Sequence, residues 1–150
     1  FIMKKLLGIM VLGLLFSGNA YAYNFKETIN QYSKVNKGDV ATIYVLTRCS
    51  ALLSFTSAMI INESGQNKTS KIYTDYNIIA IHTATKVYLK HHGVSYDKAR
   101  QNLLERRIRL ISFYREDAKE LFLRNGSYLS GHVRDDFDTC ITVIESILKR

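Results

Sequence analysis

The chain has 150 residues with 21 Lys+Arg against 13 Asp+Glu, a formal charge of +8, and only two cysteines. That length fits one domain with a real core and leaves it well above the size at which staples are obligatory. Proline is absent, where average usage would place about seven, and a proline-free chain suits long uninterrupted helices.

Residues 3–22 carry the pattern of a secretory signal peptide, with the natural start expected at Met3. Lys4 and Lys5 make a positive n-region, Leu6 to Phe16 an apolar h-region of 11 residues, and Ala20-Tyr21-Ala22 a small-x-small cleavage site. The short Lys-Lys opening reads as bacterial. At about 1.5 Å per residue the apolar run spans roughly half of a ~30 Å hydrocarbon core, so a cleaved signal is expected rather than an anchor. Cleavage before Tyr23 would leave a helical domain over residues 23–150 with a formal charge of +6, since Lys4 and Lys5 leave with the signal.

The next segment, Phe25-x-x-x-Ile29-x-x-Tyr32, has helical spacing and breaks at Asn36-Lys37-Gly38. Asp39 is the expected N-cap of a strongly apolar helix from Val40 to Ile61. Its length raises the possibility of a transmembrane span, but Arg48 near the middle would cost about 2.5–3.5 kcal/mol in a bilayer. Thr47, Ser50, Ser54 and Ser57 recur at helical spacing and form a stripe of small polar side chains. That stripe predicts close approach of a neighbouring helix, with a hydroxyl-lined groove as the alternative.

Gln66 to Lys71 reads as a polar connector before a helix from about Ile72 to His92, stopped by Gly93. Ser95 caps a long helix, Tyr96 to about Asn125, with Gly126 beyond it. Its expected apolar stripe is Leu103/Leu104, Ile108, Ile111, Ala118 and Phe122, and at about 45 Å it is long enough for a bend near Arg115-Glu116. A last amphipathic helix is expected from about His132 to Lys149, with Val133, Phe137, Cys140, Ile141, Ile144 and Leu148 on its apolar face. The fold class is therefore all-α, a single-domain bundle of about four main helices. Phe55, Ile79, Ile111, Phe137 and Ile144 are expected in the core, and the tyrosines at helix seams with their hydroxyls reaching water.

Cys49 and Cys140 can form one disulfide, which an oxidising compartment would favour. No Cys-x-x-Cys, Glu-x-x-His, His-Glu-x-x-His, Gly-x-Ser-x-Gly or phosphate loop occurs, and no cofactor is implied. Glu116 and Glu120 are surrounded by Arg115, Lys119 and Arg124 and are expected in a solvated ion-pair network. Adjacent His91 and His92 diverge by about 100° on a helix and are poorly placed to share a metal. Asn62, Asn67 and Asn125 head glycosylation sequons that matter only in a glycosylating host.

Arg100, Arg106, Arg107 and Arg109 concentrate positive charge on the first half of the long helix, and only Arg109 has a carboxylate, Glu105, at the favourable i+4 spacing. These four are the candidate binding residues, facing anionic lipid, polysaccharide or an acidic protein in a periplasmic or secreted setting, with no nucleic acid expected. The resulting expectation is a non-enzymatic binding or interaction role in the cell envelope. The alternative is a small hydrolase or metal-binding protein with its site near His132, where Asp135 and Asp136 follow at +3 and +4.

Overall fold

The computed structural model describes residues 27–150, which form five α-helices with no strand among them. The segment expected to be a signal peptide, 3–22, and Phe25 lie outside the described residues. Helix α1, Ile29–Val35, is a short entry helix. Thr28 caps it by accepting from the Gln31 backbone N–H while the Gln31 side chain reaches back to the Thr28 N–H.

Helix α2, Gly38–Ser64, is the axis of the fold and touches each of the other four described helices. It begins earlier than expected, because Lys37 occupies the cap position and Asp39 lies inside the first turn. No side chain caps the start; Asp39 instead complements the helix dipole from within. Helix α2 is long and apolar enough to cross a membrane, yet 72% of its most apolar 18-residue window is buried against the other helices. Its near-uniform apolar circumference is that of a core helix.

Helix α3, Lys68–His92, runs antiparallel to α2, as the contacts Ser50–Asn77 and Ser57–Ser70 establish. It starts four residues before the expected Ile72. Asn67 and Ser70 form a reciprocal capping box, a local hydrogen-bonding device that apolar periodicity does not reveal. Two members of the small polar stripe of α2 meet this helix. Ser50 donates to Asn77 Oδ1 at 2.6 Å and Ser57 to the Ser70 carbonyl at 2.8 Å, so this part of the stripe is a close helix–helix seam, while Thr47 donates to the Ile43 carbonyl of its own helix and Ser54 accepts from Arg107. Gly93 ends α3 in the left-handed region at φ 63°, where its lack of Cβ removes the steric cost.

Helix α4 spans Tyr96–Asn125 in one run, capped by Ser95 and ended by Gly126. Its buried stripe is Ala99, Leu103, Leu110, Tyr114 and Ala118. Ile108 and Phe122 do not belong to it, being 65% and 42% exposed. At about 100° per residue Ile108 stands roughly 140° around from Leu103, and Phe122 instead stacks on Tyr128 with ring centroids 4.3 Å apart. Helix α5, Gly131–Leu148, buries Val133, Asp136, Phe137, Cys140 and Ile144. Of the predicted core residues, Phe55, Phe137 and Ile144 are buried, while Ile79 and Ile111 are half-buried at its edge.

Candidate functional site

Cys49 of α2 and Cys140 of α5 form a disulfide with their Cα atoms 5.2 Å apart. A bridge of this kind is consistent with an oxidising compartment. Beside it lies a polar node that the sequence reading did not assemble. Arg48, fully buried, donates from Nη2 to Asp136 Oδ2 at 2.5 Å and from Nε to the Tyr114 hydroxyl at 2.7 Å. Tyr114 in turn donates to the same Asp136 oxygen at 2.6 Å, and Asp136 Oδ1 accepts the Ile29 backbone N–H at 2.6 Å. The Tyr44 hydroxyl accepts from Arg48 Nη1 at 3.0 Å.

Four helices thus converge on one carboxylate, which also satisfies an otherwise orphaned N–H at the start of α1. Burial opposes the charge on Arg48, but Tyr114, Asp136 and Tyr44 outweigh it and hold the guanidinium protonated more firmly than an ordinary arginine. Burial, with Asp136 adding to it against the opposing pull of Arg48, raises the Tyr114 hydroxyl well above the usual phenol range. A sealed, protonated phenol between two charges is a structural connector. Its position also corrects the expectation that the tyrosine hydroxyls reach water. A signal for the node exists in the sequence: Arg48 is the one charged residue between Val40 and Ile61, and Asp136 sits on the apolar face of α5, three residues after Val133 and four before Cys140.

The same burial separates the residues proposed for a site near His132. Asp136 points inward to Arg48, while His132 Nε2 lies 2.9 Å from Asp117 Oδ2 of α4. No group of three His, Cys, Asp or Glu side chains capable of holding a metal ion occurs among the described residues. His91 lies 3.5 Å from Asp39 and His92 packs on Tyr88, yet the two imidazole rings do not diverge as their spacing predicts: they meet edge to face with centroids 4.8 Å apart. Glu116 and Glu120 form exposed ion pairs with Arg115 and Arg124.

The four arginines of α4 do not form one uniform face. Arg100 and Arg109 are exposed, and Arg106 places its guanidinium carbon 5.5 Å from the centre of the Tyr88 ring, a cation–π contact. Arg107 turns into the seam with α2, half-buried, and donates from Nη2 to Ser54 Oγ at 3.0 Å. Burial lowers its pKa from the ordinary arginine value. None of the four forms an ion pair with a described residue. The expected Glu105–Arg109 pair is replaced by a contact between Glu105 and Gln101.

An open groove of about 460 Å³ lies where the α1–α2 junction meets α3 and α5. Ala41, Val45, Val87 and Ile147 line it, with Lys37 and Arg150 contributing charge. No protein family, curated protein or solved structure matches the chain.

Proposed function

We propose that this protein is an exported, disulfide-bonded helical module of the cell envelope, and that it binds an anionic partner through the basic half of α4. The observation that carries this reading is the set Arg100, Arg106, Arg107 and Arg109, four cations within ten residues with no ion pair to a described residue. The other polar groups already have structural work: Arg48, Tyr114 and Asp136 bond to one another, His132 to Asp117, Ser50 and Ser57 of α2 to α3, and Thr42, Thr47 and Thr56 to carbonyls of their own helix.

In a periplasmic or secreted setting the available anions are lipid head groups, polysaccharides and acidic proteins. Arginine suits them because its planar fork grips phosphate or carboxylate bidentately. Each exposed arginine near an anionic surface contributes about 1 kcal/mol, so those that meet it give a weak, salt-sensitive association. Sedimentation with anionic and with neutral vesicles, at low and physiological salt, tests it. Wild type should prefer anionic vesicles at low salt, and Arg100→Glu/Arg109→Glu should lose that preference. Equal binding of both vesicle types, or indifference to the charge reversal, would reject the lipid form of the proposal. The same comparison on an acidic polysaccharide and an acidic protein then decides the remaining partners.

A further inference from the structure

We infer that Arg107 and Ser54 form the seat of a phosphate group, the point at which the basic face of α4 grips its ligand; the inference rests on the reading of that face as an anion-binding surface. Two arginines of this chain lie in the seams around α2, Arg48 on that helix and Arg107 reaching it from α4, and their surroundings differ in kind. Arg48 is given a carboxylate and two phenols, so that each of its three guanidinium nitrogens has a bond. Arg107 has the single bond from Nη2 to Ser54, its Nε is enclosed with no hydrogen-bond partner, and no acidic side chain among the described residues pairs with it.

A cation drawn partly out of water without a counter-charge attracts an incoming anion more strongly than one in full solvent. Burial without a compensating charge is also what depresses its proton affinity. The donor set suits a tetrahedral oxyanion. The Ser54 oxygen accepts from Arg107, which leaves the Ser54 hydroxyl hydrogen to donate, and the Nη edge of the guanidinium supplies a fork for two oxygens. Arg100, seven residues earlier on the same face of α4, adds longer-range attraction.

Phosphate can arrive free or as part of a phospholipid, and the experiment separates the two. ¹⁵N-labelled protein, isolated in its exported form, is titrated with inorganic phosphate. It is then titrated with vesicles of phosphatidylcholine alone and of phosphatidylcholine with phosphatidylglycerol, while the Arg107 Nε–H resonance is followed. Phosphate should shift that resonance saturably. Arg107→Met should abolish the response of the remaining site resonances, and Arg107→Lys and Ser54→Ala should each weaken it roughly tenfold by loss of a charge-assisted bond. Arg134→Gln, on α5 and paired with Asp138, serves as the unaffected control.

Saturation by phosphate together with the mixed vesicles identifies a head group, and saturation by phosphate alone identifies the free ion; both support the seat. An unmoved Arg107 resonance, or an Arg107→Met variant that binds phosphate as wild type does, overturns it. If the seat fails while Arg100→Glu/Arg109→Glu still abolishes vesicle preference, the surface reading stands without it. Circular dichroism of Arg107→Met guards against misfolding, and Ser54→Ala tests the same seat with the arginine in place.

Discussion

Tyr114 shows how one side chain serves three helices. Its hydroxyl accepts from Arg48 and donates to Asp136, so it completes the hydrogen bonding of both members of a buried ion pair. Breaking such a pair on one side is costly because the surviving charge stays buried, whereas a fully bonded pair offsets much of its desolvation. Tyr114→Phe keeps the ring and removes the connector, and should cost about 1.5–3 kcal/mol at neutral pH, read from urea unfolding. The pH dependence has a definite sign. The folded Tyr114 pKa is raised above its unfolded value near 10, so its stabilisation is fully present below about pH 10 and declines as pH rises beyond that. The gap between wild type and Tyr114→Phe should therefore narrow above pH 10. A gap that stays constant or widens between pH 9 and 11 would refute this account.

At the scale of elements, α2 and α5 are joined twice at one crossing. Arg48 and Cys49 are neighbours on α2, and Asp136 and Cys140 stand one turn apart on α5, so the ion pair and the disulfide pin the same contact. The bridge closes a separation of 91 residues, for which chain entropy gives a stabilisation of about 4–5 kcal/mol. Cys49→Ala/Cys140→Ala should lower unfolding free energy by up to that amount, and a reductant should do the same to wild type while leaving the variant unchanged. A reductant-insensitive wild type would show that the bridge does not form. Helix ends follow different rules. Gly93 and Gly126 terminate α3 and α4 by backbone freedom, while Asn67 and Thr28 start α3 and α1 with side-chain hydrogen bonds.

For the molecule as a whole, α2 is so apolar that it needs partners on every side, and the other helices supply them. The disulfide is consistent with an oxidising compartment, and intact-mass measurement of protein recovered from periplasm or medium tests the proposed export directly. A chain beginning at Tyr23 is expected. Recovery of a form retaining residues 3–22 in the membrane fraction would defeat that expectation. The disulfide should be present in the same sample, visible as a crosslinked Cys49–Cys140 peptide in a non-reducing digest.

Much of the fold was legible in the chain because it rests on local signals. Apolar periodicity and the Ser95, Gly93 and Gly126 punctuation located α4 to the residue and the end of α3, and the sequence also marked Cys49 and Cys140 as partners. Local reading faltered where hydrogen bonds replaced apolar pattern, as at the Asn67–Ser70 start of α3. Tertiary structure alone decided which charged side chains are inside. Asp136 looked like one of several acids at a helix start, and it became the buried centre of the fold because Arg48, 88 residues away, required a counter-charge. Likewise Arg107 looked equivalent to Arg100, Arg106 and Arg109, and only the approach of α2 made it half-buried. The cause is the same in both: desolvation depends on what packs over a residue, and a one-dimensional pattern records the residue without recording its cover.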